Sequence, residues 1–185
     1  MYYFLAYFPK IDYNQINIVR KKYDPNYSFI DPHIAVVFPL DASIGEQKLI
    51  DHIEEIIKSW KPFQISLSGL EKSWDYYLYL TVQEGGEQIV SLHDSFYSGE
   101  LYSFWLKDIP YKPHVTLGFF ADKQAKFDKS DLDEISFNEK DFNEAISIGE
   151  SLNMNFQSTF SNLTLISRED KKSPAIIVKE FLFEG

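Results

Sequence analysis

Cysteine is missing from the 185 residues altogether, so disulfides and thiolate chemistry are excluded. Arginine is nearly missing: Arg20 and Arg168 are the two copies, in a chain of formal net charge −10. A protein that grips a long phosphate backbone shows a basic patch or stripe. None is visible, which argues against an extended nucleic acid as partner. One phosphate, or the last nucleotide or two of a chain, is still within reach, because local geometry can hold one anion against an unfavourable net charge. No apolar run approaches the roughly 20 residues of a membrane span. The opening MYYFLAYFPK lacks both a basic region and a small-residue cleavage site, so it reads as a first strand and not as a signal peptide. These absences point to a cytoplasmic protein with no membrane partner, and the acidic surface points to a monomer.

Hydrophobic residues make up 44% of the chain and aromatics 17%, enough to bury a sizeable core as one domain or as two small lobes sharing it. YYFLAYF (2–8) is an aromatic-rich buried strand ended by Pro9. Ile16, Val19 and Tyr23 recur at helical spacing within 12–23. HIAVVFPL (33–40) is a second strand, and Ser43 with Glu46 predicts a capping box for a helix running to about Trp60. Strands follow at 63–70 and 76–82, a Gly85-Gly86 turn, and a helix over 87–97. The second half reads as a strand in HVTLGFF, a polar loop or short helix over 121–134, a helix over 138–152, and strands at 154–160, 162–167 and 175–183. No Pro-, Gly- or Ser-rich linker divides the chain. The strands outnumber what a parallel array needs, which predicts an α+β fold with antiparallel sheets covered by helices.

Two segments repeat. Residues 32–38 are Pro-His-Ile-Ala-Val-Val-Phe and residues 113–119 are Pro-His-Val-Thr-Leu-Gly-Phe, and each opens a strand. Side chains two apart share a strand face, so His114 and Thr116 stand side by side. The repeat implies an internal duplication: a single bilobal domain over 1–185 in which each lobe supplies one Pro-His strand, with both histidines facing a shared central cleft. Two imidazoles across a cleft suit phosphate ester chemistry. Near neutral pH one can take a proton from attacking water while the other gives one to the leaving oxygen. A hydroxyl beside them can bond a non-bridging phosphate oxygen. An isolated His-x-Thr is more often strand filler; the second copy reverses those odds.

The paired motifs, set about 80 residues apart, resemble the signature of the 2H phosphoesterase superfamily, two copies of His-x-Thr/Ser that each open a strand. The family includes 2'-5' RNA ligase-like proteins and 2',3'-cyclic nucleotide phosphodiesterases. YKPHVTLGFF matches closely, and NLTLISREDKKSPAIIVKEFLF resembles the family's last two strands, so the resemblance spans most of the chain. It implies a bilobal duplicated fold of two antiparallel sheets with outer helices around a central cleft. It implies metal-independent chemistry without a cofactor, on a cyclic phosphate at a nucleotide or short RNA end, opened to a 2'-phosphate. It makes His114 the base and His33 the acid; the sequence itself does not orient the pair.

The first copy departs from the pattern, with Ala35 where the family has Thr or Ser. One charge-assisted hydrogen bond lost is about 1.5–3 kcal/mol, or about 10- to 100-fold in rate. A water, a backbone N–H, Tyr111 or Lys112 is the replacement to look for. Thr116, Lys112 and Arg168 are the expected phosphate contacts, and Tyr111 or Phe38 the aromatics for stacking a base. The alternative is a catalytically weakened module that binds phosphorylated nucleotides or RNA ends; a protein that merely shares the fold is the blander rival. A metal site is disfavoured, since no partner stands at a recognised ligand spacing. His52 is expected at the solvent border of its helix and His93 in a structural role.

Overall fold

The computed structural model describes residues 1–126 and 129–184. Two of the residues in the polar 121–134 segment, 127 and 128, lie outside this description. In chain order the elements are β1 (Tyr2–Tyr7), α1 (Asn14–Tyr23), β2 (Ile34–Asp41), α2 (Glu46–Ile57), β3 (Phe63–Lys72), β4 (Tyr77–Val82), α3 (Gly86–Phe96), β5 (His114–Phe119), α4 (Glu139–Ser151), β6 (Asn155–Phe160), β7 (Asn162–Arg168) and β8 (Ile176–Leu182). They form two four-stranded sheets of order β2-β1-β7-β8 and β5-β4-β3-β6, antiparallel at every pairing. The α+β reading with two helix-covered antiparallel sheets therefore holds.

The histidine strands β2 and β5 are matching edges of the two sheets and touch each other. Each arrives by a strand–helix–strand path, β1-α1-β2 and β4-α3-β5. The helices are exchanged: α1 packs on β5, and α3 packs on β2. Leu49 and Ile53 of α2 pack over Leu5, Val37, Leu40 and Leu165 of the first sheet, while α4 lies against β3 and β4. One apolar core runs through both sheets, including Ile16, Val19, Ile53, Leu92, Val115 and Phe142. The exchange makes each half's apolar face depend on the other, so neither sheet is covered by its own connection alone.

The repeat is legible residue by residue in burial. Ile34, Ala35, Val36, Val37 and Phe38 run buried, half-buried, buried, buried, half-buried, and Val115, Thr116, Leu117, Gly118 and Phe119 follow the same order. Both strands also carry a bulge at the same place. Val36 is the extra residue between the pairs Leu5–Val37 and Ala6–Ala35, and Leu117 between Leu78–Gly118 and Tyr79–Thr116. A bulge bends its strand and re-aims the side chains beside it. Gly118 is needed where it stands, because a Cβ there would lie 2.7 Å from Tyr23 Cβ on the approaching α1.

The capping box at Ser43 does not form. The Asp41 carboxylate accepts from the Ser43 N–H at 2.8 Å and winds a separate 3-10 turn over Ala42–Ile44. Helix α2 starts beyond it at Glu46, after Gly45 with φ +83°, and the Glu46 carboxylate accepts from the Tyr3 hydroxyl instead. The helix ends at Ile57, short of Trp60, where Pro62 disfavours helical backbone at the residue before it. The strand over β3 extends to Lys72, and α3 begins after Gly85, whose φ is +76°.

Candidate active site

His33 and His114 are held by the same local device. The His33 Nδ1–H donates to the Asp31 carbonyl at 2.8 Å, and the His114 Nδ1–H donates to the Lys112 carbonyl at 2.6 Å. Each bond spans one proline, which has a fixed φ and no N–H of its own. A carbonyl can only accept, so Nδ1 must carry the proton in both rings, and the lone pair of each neutral imidazole is on Nε2. Three consecutive residues thus set the tautomer and the nitrogen that keeps the lone pair, twice.

A cavity of about 220 Å³ opens between the sheets. His33, Ala35 and Pro39 line it from β2 and its approach, and Thr116 and Tyr77 from β5 and β4. His114 stands two residues before Thr116 on the same strand face, with its ring stacked on Tyr79 at 3.4 Å and 18°. The His33 ring leans instead on Phe4 and Phe8, with centroids 5.9 and 5.8 Å away. The two imidazoles are close enough for a charge on His33 to lower the proton affinity of His114.

Burial pushes both rings down to about 4. In each, the carbonyl bond at Nδ1 pulls the other way. The charges of Arg20 and Arg168 lower His33 further, against Asp24. At pH 7 both imidazoles are therefore neutral, two acceptors for a proton.

The remaining sequence-expected contacts separate into two groups. Arg168 lines the cavity, 5% exposed, with Nε donating to Ser173 O at 2.9 Å, Nη1 to Asn26 Oδ1 at 3.1 Å and Nη2 to Lys171 O at 2.6 Å. It is first of all the clamp of the 168–173 loop. Lys112, Tyr111, Phe38 and His114 itself are not among the residues that line the cavity. Lys112 is paired at 2.6 Å with Glu71, both half-exposed. Tyr111 donates its hydroxyl to Ala35 O at 2.8 Å and stacks on His93 at 3.8 Å and 2°, and Phe38 meets both rings edge-on. His93 is structural: 3% exposed, it donates from Nδ1 to Val36 O at 2.7 Å. His52 is half-buried and bonds Phe96 O at 2.8 Å, tying α2 to the end of α3.

Sequence reasoning missed Arg20, Asp24, Asn26, Gln124 and Lys171, all on the cavity wall. Arg20 sits in the run Arg-Lys-Lys at the end of an amphipathic helix, where a solvated cation is the ordinary expectation. Its one distinguishing sign is its rarity, since both arginines of an acidic chain end at this cavity. Gln124 and Lys171 bridge it: the Gln124 amide donates to the Tyr77 hydroxyl at 2.6 Å and accepts from Lys171. Among the described residues, no three His, Asp or Glu side chains group as metal ligands, and no helix is long and apolar enough to cross a membrane.

Comparison with known proteins gives this geometry its family. A Bacillus licheniformis protein named as a candidate phosphoesterase is 30% identical over 136 residues, covering 71% of this chain and 77% of its own. An Oceanobacillus iheyensis protein with the same designation is 32% identical over 123 residues, covering 63% and 69%. The fold is that of Escherichia coli LigT, solved with 3'-AMP, with a TM-score of 0.61 at 15% identity over 100% of this chain and 98% of that one. It is also that of the Thermus thermophilus protein TT0787, with a TM-score of 0.60 at 10% identity over 100% and 99%. The family model of the 2'-5' RNA ligase superfamily matches residues 8–172, and the chain belongs to that superfamily.

Proposed function

We propose that this protein is a metal-independent phosphoesterase that opens the 2',3'-cyclic phosphate of a nucleotide or short RNA end. The observation that carries the reading is the pair of Pro-His units, each with Nδ1–H fixed on the carbonyl two residues back, with His33 and Thr116 on the wall of one cavity and His114 two residues before Thr116 on the same strand face. His114 Nε2 takes a proton from water as the water oxygen attacks phosphorus. The P–O3' bond breaks in line, and the His33 imidazolium delivers its proton to O3'. The product is a 2'-phosphate, and the proton gained at His114 returns to His33 through solvent, so the step balances without a metal. The Thr116 hydroxyl donates to a non-bridging oxygen, whose charge grows in the transition state. An arriving phosphate also supplies the anion that lets one depressed imidazole hold a proton. With a formal net charge of −10 and two arginines in the sequence, the substrate is an end and not a duplex.

The test is turnover of the four 2',3'-cyclic nucleotides by the wild type, His33→Ala and His114→Ala, with product position read by phosphorus NMR. Formation of a 2'-phosphate that both variants lose supports the reading. Loss of more than half the rate to EDTA breaks the metal-free part.

Ala35 favours one second reading, a module that binds phosphorylated ends without turning them over. Tight binding of adenosine 2'-phosphate with no hydrolysis of any cyclic nucleotide over hours is its signature.

A further inference from the structure

We propose that Arg20 supplies the phosphate-oxygen donor that Ala35 lacks, so that the first half of the site grips phosphate with a guanidinium where the second half uses the Thr116 hydroxyl. This rests on the cyclic-phosphate reading above and adds to it a residue from a different element.

Arg20 is among the largest fully buried side chains, 2% exposed, and it lines the same cavity as His33, Ala35 and Thr116. Its Nε donates to Asp24 Oδ2 at 2.8 Å and its Nη2 to Ile30 O at 2.8 Å. No protein acceptor among the described residues takes Nη1. A buried guanidinium with three uncommitted N–H donors, two of them on Nη1, at the cavity wall is poised for an acceptor that arrives from outside. The candidates already at hand for the missing hydroxyl are occupied: Tyr111 O–H on the Ala35 carbonyl and Lys112 on Glu71.

The setting is rigid. Asp24 is itself held, with Oδ1 accepting from Asn26 N at 2.8 Å and Oδ2 from Arg20, so both carboxylate oxygens are engaged. The Asn26 side chain in turn bonds Arg168. Arg20, Asp24, Asn26 and Arg168 thus form one connected wall, and Arg20 and Arg168 both act electrostatically on His33. Asp24 offsets one positive charge, and Arg168 and Lys171 leave the cavity wall net positive for an anion. A planar guanidinium can meet two phosphate oxygens at once, which a hydroxyl cannot, so the exchange of Thr for Ala costs the site little.

The experiment compares kcat/KM on a 2',3'-cyclic nucleotide for the wild type, Arg20→Lys, Arg20→Gln, the paired Arg20→Gln/Asp24→Asn, and Arg20→Gln/Ala35→Thr. The paired variant removes the buried cation together with its counter-ion, and near-UV circular dichroism reports whether each variant is folded. Expected are a loss of about 10²–10³ in both Gln variants, the scale of deleting one preorganised donor to a developing anion, and at least a tenfold loss in Arg20→Lys. Ala35→Thr should restore tenfold or more in the Arg20→Gln background but improve the wild type less than threefold. Folded Arg20→Gln/Asp24→Asn with kcat/KM within threefold of wild type overturns the proposal, as does Ala35→Thr giving the same gain in both backgrounds. If the wild type turns over none of the cyclic nucleotides, the phosphodiesterase reading fails separately. Arg20 is then judged by calorimetric binding of adenosine 2'-phosphate: a tenfold or greater weakening in Arg20→Lys supports it, and unchanged affinity overturns it.

Discussion

The two Pro-His units differ in what surrounds an identical core. In both, a proline, a carbonyl-bound Nδ1 and a bulge three residues on set the imidazole. Around His114 the strand supplies everything else, with Thr116 two residues along and Tyr79 stacked from the adjacent strand. Around His33 the strand supplies only Ala35, and the polar groups come from a helix, a loop and the end of β7: Arg20, Asn26 and Arg168. One half of the site is written in a short stretch of chain, and the other is assembled from distant pieces.

The sharpest break of this comparison is to remove each imidazole in turn. His33→Ala and His114→Ala should each lower kcat by about 10²–10⁴, the range of a lost acid or base. A tenfold or smaller effect at either histidine would mean the halves do not share the chemistry. The pH profile comes next. Catalysis needs one ring protonated and one neutral in the free enzyme. With both at about 4, kcat/KM should peak near pH 4 and fall about tenfold per unit well above it. A fall centred near 6.5, the unperturbed histidine value, would mean that burial does not govern the pair.

Thr116→Val tests the hydroxyl half directly. The expected loss is about 10- to 100-fold in kcat/KM, from about 1.5–3 kcal/mol of charge-assisted hydrogen bond, with thermal stability little changed. Gly118→Ala tests the packing that the first unit solves with Val37. Its new Cβ would press on Tyr23 Cβ at 2.7 Å and on the Phe120 ring at 2.8 Å, for about 1–3 kcal/mol of overpacking in a denaturant titration.

The last test is of stability against pH. Each ring is held near 4 when folded and returns to about 6.5 when unfolded. Above pH 6.5 both states are neutral and the histidines contribute no slope. As pH falls from 6.5 towards 4 the unfolded chain takes up protons that the native rings refuse, so stability falls with pH across that window. Urea unfolding at pH 7.5 and 4.5 should show a smaller loss in His33→Gln/His114→Gln than in the wild type; equal losses would remove the histidines from the account.

Much of the architecture was legible because it is local. Alternating apolar strands, the helical spacing of Ile16, Val19 and Tyr23, and the Gly85 turn all appear where expected. The errors came from competition that one motif cannot reveal. Ser43 and Glu46 had the right spacing for a cap, but Asp41 took the Ser43 N–H and Tyr3 took Glu46. Tyr111 and Lys112 adjoin His114 in sequence, yet their polar atoms are engaged by Ala35 and Glu71.

By itself the sequence determined the two Pro-His units. A proline before each histidine and a carbonyl before each proline suffice to fix the tautomer, because all the atoms involved lie within three residues. Only the tertiary structure decided what stands beside His33. Helix α1 crosses to the other sheet, and its burial against β5 turns Arg20, one cation in a basic run, into a desolvated donor pinned between Asp24 and Ile30. The i,i+4 spacing to Asp24 is visible in the sequence, but what distinguishes Arg20 from Lys21 and Lys22 is that the packing of α1 on β5 buries this one cation.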